Sequence, residues 1–131
     1  MRCPKKIRIG AHTFAVKRCK ENKMDRPSDR ELRYERSTGR HFAHYGDCSV
    51  SRLLIRLNED IDKQTWPETL LHEVLHAICE LTGATNSFKP GREEQIVQDF
   101  GHALTQVLRD NPTLTKMFLG GGMWRNTQKK S

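Results

Sequence analysis

Apolar residues at Ile7 and Ile9, and again at Phe14 and Val16, stand two apart on either side of Gly10. That spacing predicts a short β-hairpin over Ile7-Arg8-Ile9 and Thr13-Phe14-Ala15-Val16-Lys17. Residues 20–40 are polar and charged, carry Pro27, Ser28 and Gly39, and show no sustained period. They predict a surface excursion with one helical turn around residues 29–36. Residues 41–45 and 53–57 then bracket Gly46-Asp47-Cys48-Ser49 and predict two further strands joined by a turn at those four residues. Asn58-Glu59-Asp60 closes the second strand.

From Trp66 the period changes. Leu70, Leu71, Val74, Leu75, Ile78 and Leu81 recur at helical spacing and predict a buried amphipathic helix. Thr65 suits its N-cap, Pro67 its first turn and Gly83 its left-handed C-terminal position. Residues 83–91 form a loop. A second helix is predicted over 92–108, with Ile96, Val97, Phe100, Leu104 and Val107 as its apolar stripe and Asn111-Pro112 as its stop. The tail, with Gly120-Gly121-Gly122 and Lys129-Lys130, is expected to be mobile. Strands followed by helices predict an α+β domain, a short antiparallel or mixed sheet packed against two helices.

Composition narrows the class. A chain of 131 residues, 35% hydrophobic and 30% charged, predicts one domain with a small core under a charged surface. No run of 18 apolar residues is present, so no membrane span is expected. The basic N-terminus has no apolar stretch behind it, so no secretory signal is expected. Cys3, Cys19, Cys48 and Cys79 lie far apart with no Cys-x-x-Cys pair, which argues against a thiolate zinc site and fits a reducing, cytoplasmic setting. The net charge of +7 resides in residues 1–60, which hold 15 Lys and Arg against 8 Asp and Glu; residues 61–131 balance at 8 of each. Such a half allows weak nucleic-acid contact, but it also describes an ordinary solvated face. No aromatic-rich RNA-binding signature or helix-turn-helix pattern accompanies it.

The chemistry is concentrated in His72-Glu73-Val74-Leu75-His76. Four residues is about one helical turn, so the two imidazoles can grip one metal ion, and Glu73 is placed to take a proton from an attacking water. From this chain's own His and Glu frequencies, chance produces such a run in roughly 2% of chains of this length. A third ligand is needed. Position 82 is Thr82, position 79 is Cys79, and Glu80 would string three ligands along about 12 Å of one helix. The start of an antiparallel second helix supplies the alternative, where Glu93 and Glu94 are both candidates. Counted at about 100° per residue, Glu93 falls nearer the middle of the predicted stripe. His12, His41 and His102 have no partner at ligand spacing and are expected in polar roles, with Trp66 and Trp124 in packing.

These residues resemble the zincin superfamily, more narrowly the gluzincin-type proteins, whose third ligand is a glutamate on a following helix. Minigluzincins and ImmA/IrrE-like endopeptidases share that arrangement, and the resemblance is closest to small phage or prophage proteins of this type. It covers about residues 41–112: His44-Tyr45-Gly46, Leu54-Ile55-Arg56-Leu57-Asn58, residues 69–78 with the histidine motif, and Glu93-Glu94-Gln95-Ile96-Val97. The resemblance implies one zinc held by His72, His76 and Glu94, the last chosen by its register six residues before Phe100. Gln98 stands where the family often has an Asp or Asn that orients a histidine. The implied activity is zinc-dependent peptide-bond hydrolysis with Glu73 as the base. An extended peptide or protein substrate would be held along a strand edge such as residues 53–57. Tyr45 and His44 are the candidates for an oxyanion helper. A zinc-binding accessory or regulatory phage protein without turnover is the alternative.

Overall fold

The computed structural model describes residues 2–20 and 45–119. The expected turn at residues 29–36, the strand residues 41–44, His41, His44, Trp124 and the tail from 120 lie outside the described residues. Strands β1 (Lys6–Ile9) and β2 (His12–Cys19) form the expected antiparallel hairpin, with Ile9 opposite His12 across the turn. Gly10 takes φ +60° there, a conformation an L side chain rarely adopts.

The next pair of strands departs from the expected pattern. Gly46-Asp47-Cys48-Ser49, predicted as a turn, is itself strand β3 (Gly46–Ser49), and the turn falls at residues 50–53. β3 runs antiparallel to β4 (Leu54–Asn58), and Asp47 faces Arg56 across the pair. Those side chains form a two-pronged ion pair, with Arg56 Nε donating to Asp47 Oδ1 at 2.8 Å. The compensation of opposite charges across the ladder lets a short, polar strand persist where turn-forming residue types suggested otherwise. β4 lies between β3 and β2 and is parallel to β2, giving a mixed sheet in the order β1-β2-β4-β3.

Helix α1 (Trp66–Thr82) starts and ends where the sequence predicts. Its start is secured differently. Thr65 makes no side-chain cap; instead Asp62 Oδ1 accepts from the backbone N–H groups of Gln64 and Thr65 at 2.9 and 2.7 Å. Gly83 ends it at φ 79°. A short 3-10 turn (Ala84–Ser87) leads to α2 (Arg92–Asp110). Asn111 and Pro112 stop α2 as expected, and a further seven-residue helix, α3 (Pro112–Phe118), starts at once because proline is well suited to a first helical turn. The fold is α+β.

The core is a single layer between the sheet and α1. Phe14 and Val16 of β2, Ile55 and Leu57 of β4, and Trp66, Leu70 and Ala77 of α1 fill it with Ile9 and Ile61. Trp66 is the packing residue expected. α2 packs on α1, through a buried line of Val97, Gly101 and Thr105. The predicted stripe is therefore rotated: Phe100 is 66% exposed and Val107 43%. Gly101 explains the rotation. A Cβ there would meet Leu75 Cδ1 at 3.6 Å and His72 Cα at 4.0 Å, so the helices approach where no large side chain stands.

Candidate metal centre

Successive residues on α1 face different neighbours, and this separates the roles of the motif. Trp66, Leu70, Glu73 and Ala77 lie on the line turned to the sheet and are buried. His72 and His76 lie one residue back from Glu73 and Ala77, which turns them about 100° away, toward α2. Glu94, in the first turn of α2, meets them. Its Oε1 is 3.0 Å from His72 Nε2 and its Oε2 is 2.8 Å from His76 Nε2. The two Nε2 atoms are 3.2 Å apart.

Bonds of about 2.0–2.1 Å at the tetrahedral angle leave donor atoms roughly 3.3 Å apart. The 3.2 Å between the two Nε2 atoms is close to that, and each Nε2 faces one oxygen of the Glu94 carboxylate, at 3.0 and 2.8 Å. The donor set of two imidazoles and a carboxylate fits as well, so His72, His76 and Glu94 could hold a metal ion. Of the two glutamates, Glu94 is in this cluster. Glu93, the other candidate, lies beside it, its Oε2 3.0 Å from His76 Nδ1 on the other edge of the ring.

No protein-family model, no curated protein and no solved structure matches this chain.

Without an ion, the charges in the cluster compensate one another. Burial raises the Glu94 carboxyl, but hydrogen bonds from His72 and His76 outweigh it and hold the group well below the usual carboxylate range. Burial lowers His76, while Glu94, Glu73 and Glu93 raise it further, to about 9. Glu73 differs from both. Only 7% exposed, it is pushed up to about 7 by burial, against the lowering influence of His72 and His76. A base poised near neutrality is suited to both taking and returning a proton.

β3 forms the roof over Glu73. A Cβ at Gly46 would lie 3.0 Å from the Arg56 carbonyl oxygen, 3.1 Å from Thr69 Cγ2 and 3.3 Å from Glu73 Cγ. β4, expected as a peptide-binding edge, is instead paired on both sides and has no edge to offer. Among the described residues the sheet ends in β3 on this side and in β1 on the other. On the α2 side, a cleft of about 310 Å³ adjoins His72 and is lined by Glu68, Gln98, Asp99, Gly101 and His102. Gln98 thus borders the cleft beside His72. His102, which lacked a partner by spacing, bonds through Nδ1 to Glu68 Oε1 at 2.9 Å. Tyr45, the residue before β3, is half exposed, and among the described residues no hydrogen bond joins its hydroxyl to the cluster. His12 is exposed on β2. The four cysteines are free, and burial pushes the Cys48 thiol up to about 12.

Sequence reasoning missed Thr85, whose hydroxyl donates to Glu93 Oε1 at 2.5 Å. It lies in a loop with no periodic pattern, so only its position after the Gly83 stop could have drawn attention to it.

Proposed function

We propose that this protein is a small zinc-dependent metallopeptidase. The observation that carries the reading is the convergence of His72 Nε2, His76 Nε2 and the Glu94 carboxylate, with a buried Glu73 beside them. Zinc is favoured over harder cations by the two imidazoles, and over thiolate-seeking metals by the absence of a cysteine from the set. When bound, zinc would polarise the scissile carbonyl and make water a better nucleophile. His72, His76 and Glu94 would hold it.

The remaining work belongs to the chain's own residues. Glu73 takes the proton of the attacking water at its carboxylate and returns it to the leaving amine, a cycle that a group near neutrality can complete. The Arg56–Asp47 pair holds β3 to β4 and so keeps the Gly46 backbone close over Glu73. The cleft beside His72 gives a peptide side chain room. The substrate inferred is a peptide or protein, and the four free cysteines suit a reducing compartment such as a cytoplasm.

The test is paired. Protein purified without added metal is analysed for zinc, and wild type and Glu73→Gln are compared on a peptide library. The amide cannot accept the proton, so hydrolysis should fall at least about a hundredfold while zinc content holds. Equal hydrolysis by the variant would remove Glu73 from the mechanism. Bound zinc with no hydrolysis by wild type would favour a non-catalytic zinc-binding role.

A further inference from the structure

Glu93 neighbours Glu94 in the first turn of α2 but reaches the opposite edge of the same imidazole. Its Oε2 lies 3.0 Å from His76 Nδ1, while Glu94 Oε2 lies 2.8 Å from His76 Nε2. The second oxygen of Glu93 is also engaged, accepting the Thr85 hydroxyl proton at 2.5 Å. A carboxylate can only accept, so the Nδ1 it faces must carry the proton. Nε2 faces the Glu94 carboxylate in the same way, so without an ion it carries a proton too; loss of that one proton to a metal ion leaves Nδ1–H and a lone pair at Nε2.

We propose that Glu93, fixed in place by Thr85, is a positioning residue that holds His76 as the Nδ1–H tautomer with Nε2 aimed into the metal site. The proposal rests on the metal-centre reading above. Its logic is that a ligating imidazole binds better when its other nitrogen donates to a carboxylate, which sets both ring orientation and basicity. Thr85 adds a further consequence. It stands in the 3-10 turn (Ala84–Ser87) that joins the helices, so the connection between α1 and α2 is tied to the ligand it follows. Neither residue belongs to the core. Thr85 is exposed and Glu93 is partly exposed, so truncating them removes the tether and leaves the packing between sheet and α1 intact.

Zinc affinity, measured by competition with a chromophoric chelator, tests this on the full chain. Glu93→Ala should weaken zinc about 10–100-fold. Thr85→Val should weaken it in the same direction by a smaller factor, and Thr85→Ser, which keeps the hydroxyl, should restore the wild-type value. In the zinc-loaded wild type, nitrogen-edited NMR should show a slowly exchanging His76 Nδ1–H, and Glu93→Ala should lose that slow exchange. A purely structural role for Glu93 would alter the melting temperature and leave both readouts alone. Zinc binding by Glu93→Ala within about twofold of wild type, well inside the range for such a partner, overturns the proposal. So does a His76 Nδ1–H that exchanges equally slowly in both proteins. A wild-type chain that takes up no zinc overturns the metal-centre reading instead, and the two failures are distinct.

Discussion

At His76, burial and charge act against each other on one ring. Burial lowers its pKa, but the surrounding carboxylates of Glu94, Glu73 and Glu93 raise it from the ordinary 6.5 to about 9. A raised basic group gives stability that is fully present below its unfolded pKa and lost as pH rises through the folded one. For His76 in the metal-free protein the loss therefore runs from 6.5 to about 9. Glu73 acts in the same direction. Burial raises its pKa from 4.5 to about 7, so its neutral form is favoured and stability falls as pH climbs through that window. Glu94 is depressed, so its contribution is present above 4.5 and lost only in acid. The urea midpoint of the metal-free protein should accordingly fall between about pH 5 and pH 9. Zinc must displace the His76 proton, so uptake at about pH 7.5 should release about one proton from this ring, read by calorimetry in buffers of different ionisation heat. A metal-free midpoint that rises with pH, or uptake without proton release, would contradict the cluster.

At the scale of elements, two glycines set how closely the pieces approach, with opposite consequences. Gly46→Ala would press a Cβ to 3.0 Å from the Arg56 carbonyl, a backbone atom that cannot step aside, and should cost about 1–3 kcal/mol. Gly101→Ala meets only ordinary contacts at 3.6 and 4.0 Å in the middle of a helix. The gain in helix propensity should stabilise the protein by up to about 1 kcal/mol. Thermal melts of the two variants should move in opposite directions. The same pair shows how much of each element was legible. Period-two and helical spacing located β1, β2, β4 and α1 because each buries large apolar residues on one face, and located the span of α2 but not its buried face. β3 escaped because Gly46, Asp47 and Ser49 are turn-forming types, and it owes its place to β4. The face of α2 was misjudged because its buried line includes Gly101 and Thr105, which carry no hydrophobic signal.

For the whole molecule, an ion between α1 and α2 would tie together a helix packed on the sheet and a second helix packed on the first. Zinc at about a hundred times its Kd should add roughly 2.7 kcal/mol and raise the melting temperature, an effect chelation reverses. His72→Ala or Glu94→Gln should abolish most of that increment, since each removes one of three ligands. An equal zinc-induced rise in these variants would place the ion elsewhere. What the sequence by itself determined was the local part: two helices at their stations, the hairpin, and a His72–Glu73–His76 register that any helix imposes through its 3.6-residue turn. The family resemblance, not periodicity, selected Glu94. Only the tertiary structure decided that β4 lies inside a mixed sheet, that Phe100 faces outward, and that Glu93 and Thr85 serve the far edge of His76. Those outcomes depend on contacts between residues distant in the chain or on small and polar side chains. Periodicity measures only how apolar bulk repeats along a single element.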